Sequence, residues 1–148
     1  MNTTNLEGPA LDWAVAKAAG MRLGPKAPGR GALWFDIGIW SLPSPGGGQQ
    51  SYCLRSEFDY WLARCDGPFL GYTRVWQPSA DWEQGGPIIA QNRISLTQKH
   101  DGWWRACIYD LNDSPTHLHL AHEPLIAAMR CFVASKLGHR ITIPKSLL

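Results

Sequence analysis

Leu11, Val15 and Ala18 stand at i, i+4 and i+7 between Gly8-Pro9 and Gly20, a spacing that puts them on one face of a helix over residues 9–19. Pro at the first helical position and Gly just past the last one suit its two ends. Trp13 and Ala16 lie on the flank, and Asp12 sits in the first turn, where the helix dipole favours a carboxylate. The same grammar returns late in the chain. Glu123-Pro124 opens a run in which Leu125, Met129, Phe132, Val133 and Lys136 recur at three- and four-residue steps, and Gly138 closes it. Ile126, Cys131 and Leu137 widen that apolar arc, as expected of a deeply packed helix over 124–137. Ala127, Ala128 and Ala134 leave room for a close neighbour. Beyond it, Ile141-Thr142-Ile143 predicts a short strand stopped by Pro144.

Between the helices the signals turn β-like. Residues 33–42 are rich in aromatic and β-branched side chains and end at Pro43-Ser44-Pro45-Gly46-Gly47-Gly48, a loop. Residues 68–76 predict another strand. Residues 94–98 and 103–109, joined by Lys99-His100-Asp101-Gly102, predict a hairpin, since Asp-Gly is a strong turn signal. Ser56 with Asp59, and Phe58, Trp61 and Leu62 at helical spacing, predict a short helix over 56–65. The expected fold is therefore α+β: a single domain over 1–148, with N-terminal and C-terminal helices packed on an antiparallel sheet.

The 148 residues are 45% hydrophobic and 18% charged, enough apolar material for a core and the reverse of a disordered chain. A net charge of +2, with Arg22, Lys26 and Arg30 scattered among Gly and Pro, makes no basic stripe, so no nucleic-acid partner is expected. No run reaches the length of a membrane span, and residues 1–7 lack the features of an export signal. That places the expected location in the cytoplasm, with Cys53, Cys65, Cys107 and Cys131 as free thiols. Eight tryptophans are the anomaly. Most are expected in the core, and one or two could serve as platforms for a planar ligand.

The most unusual stretch runs from Trp76 through Ser79, Asp81, Trp82, Gly85 and Gly86 to Ile89. Read as a loop, its Gly-Gly pair would expose N–H groups to a guest, Ser79 and Asp81 would add hydrogen bonds, and Trp82 would stack on a ring. The competing reading is an ordered connection in which Asp81 caps a turn and both tryptophans fill the core. His117, His119 and His122 form a sparse cluster lacking a further ligand, read as solvated histidines in a loop and not as a metal site. No nucleophile motif or carboxylate pair stands out, so a non-catalytic protein without a cofactor is expected.

Three blocks carry a resemblance. Residues 5–16 contain Leu6-Glu7-Gly8-Pro9-Ala10-Leu11-Asp12-Trp13-Ala14-Val15-Ala16, residues 78–89 read Pro-Ser-Ala-Asp-Trp-Glu-Gln-Gly-Gly-Pro-Ile-Ile, and residues 124–138 form the closing helix. Together and in this order they resemble the NinX-like proteins of bacteriophages and prophages, a domain of unknown function. The resemblance implies a phage accessory protein at work in an infected bacterium. Its blocks hold polar and glycine positions, namely Asp12, Ser79, Asp81, Gly85, Gly86 and Arg130, from which the three blocks are expected to converge on one pocket. There Arg130, with Arg74 and Arg93 as further candidates, would meet the phosphate of a small nucleotide-like ligand, and Trp76 or Trp82 would stack on its base. A sponge for a host antiviral signal is the leading expectation. A protein-interaction inhibitor is the alternative and a nucleotide-acting enzyme the third. The alanine-bearing last helix and the excess tryptophan also predict a homodimer or higher homo-oligomer.

Overall fold

The two end helices form where the apolar spacing puts them; Leu11, Val15, Leu125, Met129, Phe132 and Val133 are buried as expected, whereas Ala18 is half-buried, Lys136 is exposed and the flank residue Ala16 is buried. The computed structural model describes residues 1–23, 40–43, 49–54 and 73–148. Helix α1 spans Gly8–Ala18, with Pro9 in its first turn, and buries Ala10, Leu11, Asp12, Ala14, Val15 and Ala16. A later helix, Pro124–Leu137, buries an unbroken run from Ala127 to Ala134, closing at Gly138 with φ +86°. Its Ala127, Ala128 and Ala134, all buried, let this helix lie close to α1 on one side and to a sheet on the other. Helices at both ends and sheets between them make the fold α+β.

The strands form two sheets. Strands β1 (Arg22–Leu23), β2 (Trp40–Pro43), β3 (Gln49–Leu54) and β4 (Thr73–Trp76) lie in that order. The β1/β2 and β2/β3 pairs are antiparallel and β3/β4 is parallel, so the arrangement is not purely antiparallel. The second sheet, β5 (Ser95–Gln98), β6 (Trp104–Tyr109) and β7 (Pro115–Ala121), is antiparallel throughout. Its first hairpin turns at Lys99–Gly102 as expected: Gly102 takes φ +85°, and the Lys99 N–H donates to the Trp103 carbonyl at 2.8 Å.

Four expectations need correction. Residues 78–89 are not a Gly-Gly loop: a short turn leads into a helix, α2, spanning Trp82–Gln91. The last helix is accordingly α3. The 117–121 segment is strand β7, not a loop. Residues 141–143 form no strand; instead Arg140 makes an isolated bridge with Asn2, and the Ile141 N–H donates to the Met1 carbonyl at 3.1 Å. Pro43 ends β2 where a loop was expected. The early parts of the strands expected at 33–42 and 68–76, the helix at 56–65, the loop at 24–31 and Cys65 lie outside the described residues.

Leu6, Leu11, Val15, Leu54, Met129 and Val133 are almost wholly buried, and with Trp76 and Ile88 they build one core in which α1, α2, α3 and both sheets share. Both ends of the chain share in this core, since Leu6, Leu11 and Val15 lie in it with Met129, Val133 and Ile143.

Candidate functional site

Strand β4 leads through Gln77–Ala80 into α2, and this joint is fixed from two sides. The Asp12 side chain of α1 is only 5% exposed, and its Oδ1 accepts from the Ser79 N–H at 2.9 Å. One residue of backbone serves the same purpose, since the Trp76 indole N–H donates to the Asp12 carbonyl at 2.9 Å. Burial pushes the Asp12 carboxyl up to about 6, although its bonds from Ser79 oppose that rise. Asp81 then caps α2, its Oδ1 accepting from the Glu83 N–H at 2.9 Å, as an N-cap aspartate does. Gln84 ties the helix back to the strand, its Nε2 donating to the Val75 carbonyl at 2.7 Å and its Oε1 accepting from the Gln77 N–H at 2.8 Å.

The two glycines of the motif differ in kind. A methyl group on Gly85 would stand 2.5 Å from the Pro78 carbonyl oxygen and 2.7 Å from Leu125 Cδ2. Gly85 is therefore where α2 presses onto its own entry turn and onto α3. Gly86 has open space at the same test. Neither glycine has positive φ.

Arg130 is 6% exposed and held by three partners. Its Nε donates to the Leu6 carbonyl at 2.8 Å, its Nη1 to the Leu120 carbonyl at 3.0 Å and its Nη2 to Glu7 Oε1 at 2.8 Å. Next to that clasp, the Thr3 N–H donates to the His139 carbonyl at 2.9 Å and the Thr3 hydroxyl to the Gly138 carbonyl at 2.9 Å. The three blocks thus meet through a buried network, Arg130 with Leu6 and Glu7, and Asp12 with Ser79.

Two clefts flank α2. One, of about 320 Å³, lies between β3–β4 and α2, lined by Tyr52, Arg74, Trp76, Glu83, Gln84 and Gln91 among others. Tyr52 and Trp76 meet edge to face at 5.1 Å, forming an aromatic wall. Arg74 Nη1 and Glu83 Oε1 stand 3.8 Å apart with side chains 61% and 77% exposed. That separation is too long for a hydrogen bond. The other cleft, of about 280 Å³, lies where the first turns of α2 and α3 approach, lined by Ser79, Ala80, Trp82 and the segment from Glu123 to Ile126. Trp82, 55% exposed, stands at this second cleft. Of the residues singled out in the sequence, Trp76 and Arg74 reach the first cleft, Ser79 and Trp82 the second, and neither cleft is lined by Asp12, Asp81, Gly85, Gly86 or Arg130. Arg93 is exposed with φ +51° and lines neither.

The histidines also differ from expectation. His119 is 4% exposed, and both of its ring nitrogens are buried without a partner. Burial first, then the charges of His139, Arg130 and His117, hold its pKa down at about 4. His117 and His139 approach it as a loose group, with ring centroids 6.0 Å apart from each other and 6.1 Å between His119 and His139. His122 is exposed and lies against the Trp103 ring at 3.7 Å. Among the described residues no group of histidine, cysteine or carboxylate side chains is placed to hold a metal ion. Cys53 is buried, Cys107 and Cys131 are buried free thiols, and burial pushes the Cys131 thiol up to about 12, where it is a poor nucleophile.

The family model described as Bacteriophage P22, NinX, matches residues 2–136, and the chain belongs to that phage family. No curated protein matches the chain. Among the described residues no helix is long and apolar enough to cross a membrane.

Proposed function

We propose that this phage protein is a non-catalytic binding module for a small nucleotide-like ligand, seated in the cleft between β4 and α2, and that it helps its phage by sequestering a host signalling molecule. The observation that carries this reading is the unused bonding capacity of that cleft. Gln84 and the Trp76 indole are committed to the backbone. The Arg74 guanidinium, by contrast, faces Glu83 at 3.8 Å without a hydrogen bond. An aromatic wall beside an available arginine suits a planar ring carrying an anionic group. Asp12, Ser79, Asp81, Gly85 and Arg130 then belong to the frame that places the cleft and not to its contacts. A sponge needs tight binding without turnover.

Native mass spectrometry of protein purified from phage-challenged cells is the test. A retained small molecule, lost from Arg74→Gln while the variant keeps its melting temperature, supports the reading. Loss of a charge-assisted bond weakens binding by roughly tenfold or more. A protein that emerges empty and binds no nucleotide in titration counts against it.

A protein-interaction role is supported by a different surface. Leu118 is 48% exposed, Tyr109 44% and Leu111 fully so, and Leu118 alternates with buried His119 along β7, so it stands on the face turned away from α3. Sedimentation equilibrium settles whether a second copy covers that face.

A further inference from the structure

We infer that Glu83 is a ligand contact as well as a neighbour of Arg74, so that the cleft reads an anionic group and adjacent hydrogen-bond donors together, as a ribose phosphate presents them. The inference rests on the ligand-binding reading of the same cleft. Glu83 lies in the first turn of α2, beyond the Asp81 cap, and its backbone N–H is already satisfied by that cap. Its carboxylate accepts no hydrogen bond, is 77% exposed, and lies on the cleft with Arg74. An ion pair this exposed contributes little to stability, so holding the fold does not account for the carboxylate. Were Arg74 meant to take an anion alone, a carboxylate 3.8 Å away would work against it, because like charges repel the incoming group. A carboxylate beside an arginine is instead complementary to a ligand with both signs of demand: oxygens for the guanidinium, and hydroxyl donors for the carboxylate. Sugar hydroxyls are a common partner of such acidic groups in nucleotide sites. Tyr52 and Trp76 would line the side taken by the base.

The sign of one measurement separates this role from the plain counter-ion role. Adenosine monophosphate and its 2′,3′-dideoxy analogue are titrated into the full chain, its Glu83→Gln variant and its Arg74→Gln variant by calorimetry. If Glu83 accepts from the ribose, Glu83→Gln weakens the monophosphate about tenfold, and the dideoxy analogue binds the unaltered protein about tenfold less tightly and is not weakened further by the substitution. If Glu83 only repels anions, Glu83→Gln tightens both ligands, which overturns the inference while leaving the cleft reading intact. If neither ligand binds the unaltered protein, the cleft reading falls and this inference falls with it. Arg74→Gln weakens both ligands in the first two cases, and the exposure of both side chains leaves the fold of either variant unaffected.

Discussion

The molecule holds two arginine–glutamate pairs that teach opposite lessons. Arg130 meets Glu7 at 2.8 Å and is buried, with two backbone carbonyls as further partners. Arg74 meets Glu83 at 3.8 Å with both side chains in water. The first pair has its geometry fixed by the core and has little capacity left for a guest. The second is loosely placed and lines a cleft. Charge type alone does not mark a binding residue; what marks it is the number of bonds the group still has to make. The buried clasp unites the N-terminal segment, β7 and α3, and the exposed pair stands beside a ready space.

Substituting the two arginines tests that contrast most severely. Arg130→Met is expected to cost on the order of 3 to 5 kcal/mol, because two carbonyls lose charge-assisted donors in or near the core. Arg74→Met should stay within about 0.5 kcal/mol. Equal midpoints in urea would break the comparison.

Next in size are the two buried titrating groups near the clasp and the joint. His119 has its pKa lowered to about 4 in the fold, so its contribution is complete above the unfolded value near 6.5 and is lost as pH falls through 4. Asp12 has its pKa raised to about 6, so the fold is favoured below the unfolded value near 3.8 and that advantage is lost as pH rises through 6. Each amounts to roughly 3 kcal/mol, and the two oppose each other between these limits. His119→Leu should therefore gain stability on acidification from pH 6 to 4, and Asp12→Asn should lose it. Thermal melts across that range check both signs.

The adjacent glycines come third. Gly85→Ala places a methyl against the Pro78 carbonyl and should cost about 1 to 3 kcal/mol. Gly86→Ala meets nothing and should stabilise the helix by up to about 1 kcal/mol. Asp81→Ala, which removes only the α2 cap, should cost about 1 kcal/mol. Urea denaturation of these three variants ranks the joint residues against the clasp.

Much of this architecture was legible because it rests on local rules. The spacing of Leu11 and Val15, the Pro-opened and Gly-closed ends of α1 and α3, and the Asp101-Gly102 turn each act over a few residues. Helix α2 was missed because Gly85, Gly86 and Pro87 all argue against a helix. The outvoted signal was present: Asp81 at the cap, Glu83 in the first turn and Gln84 three residues after the cap. Packing decided the matter, since only glycine lets the helix sit on Pro78. The burial of Arg130, Asp12 and His119 could not be read from spacing, because the groups that surround them, such as Leu6, Ser79 and His139, are distant in the chain. For the same reason only Trp76 and Arg74 of the residues singled out as ligand contacts line the cleft beside β4, while Tyr52, Glu83 and Gln91 join it only once β3, β4 and α2 lie side by side.

The bonds that close the clasp also set a timetable for making the protein. Arg130 and Leu6 are 124 residues apart, and Thr3 and Gly138 are separated by 135. Ribosomes add roughly 5 to 20 residues each second, so the opening segment waits about 6 to 25 s before its guanidinium partner has even been synthesised. During that interval the apolar face of α1, with Leu11 and Val15, has no α3 to cover it. Contacts of such long range are slow to form and leave apolar surface open to wrong partners. A chain stalled before residue 124 is thus not a smaller version of this protein but an unfinished one, without the helix that completes the core and the clasp.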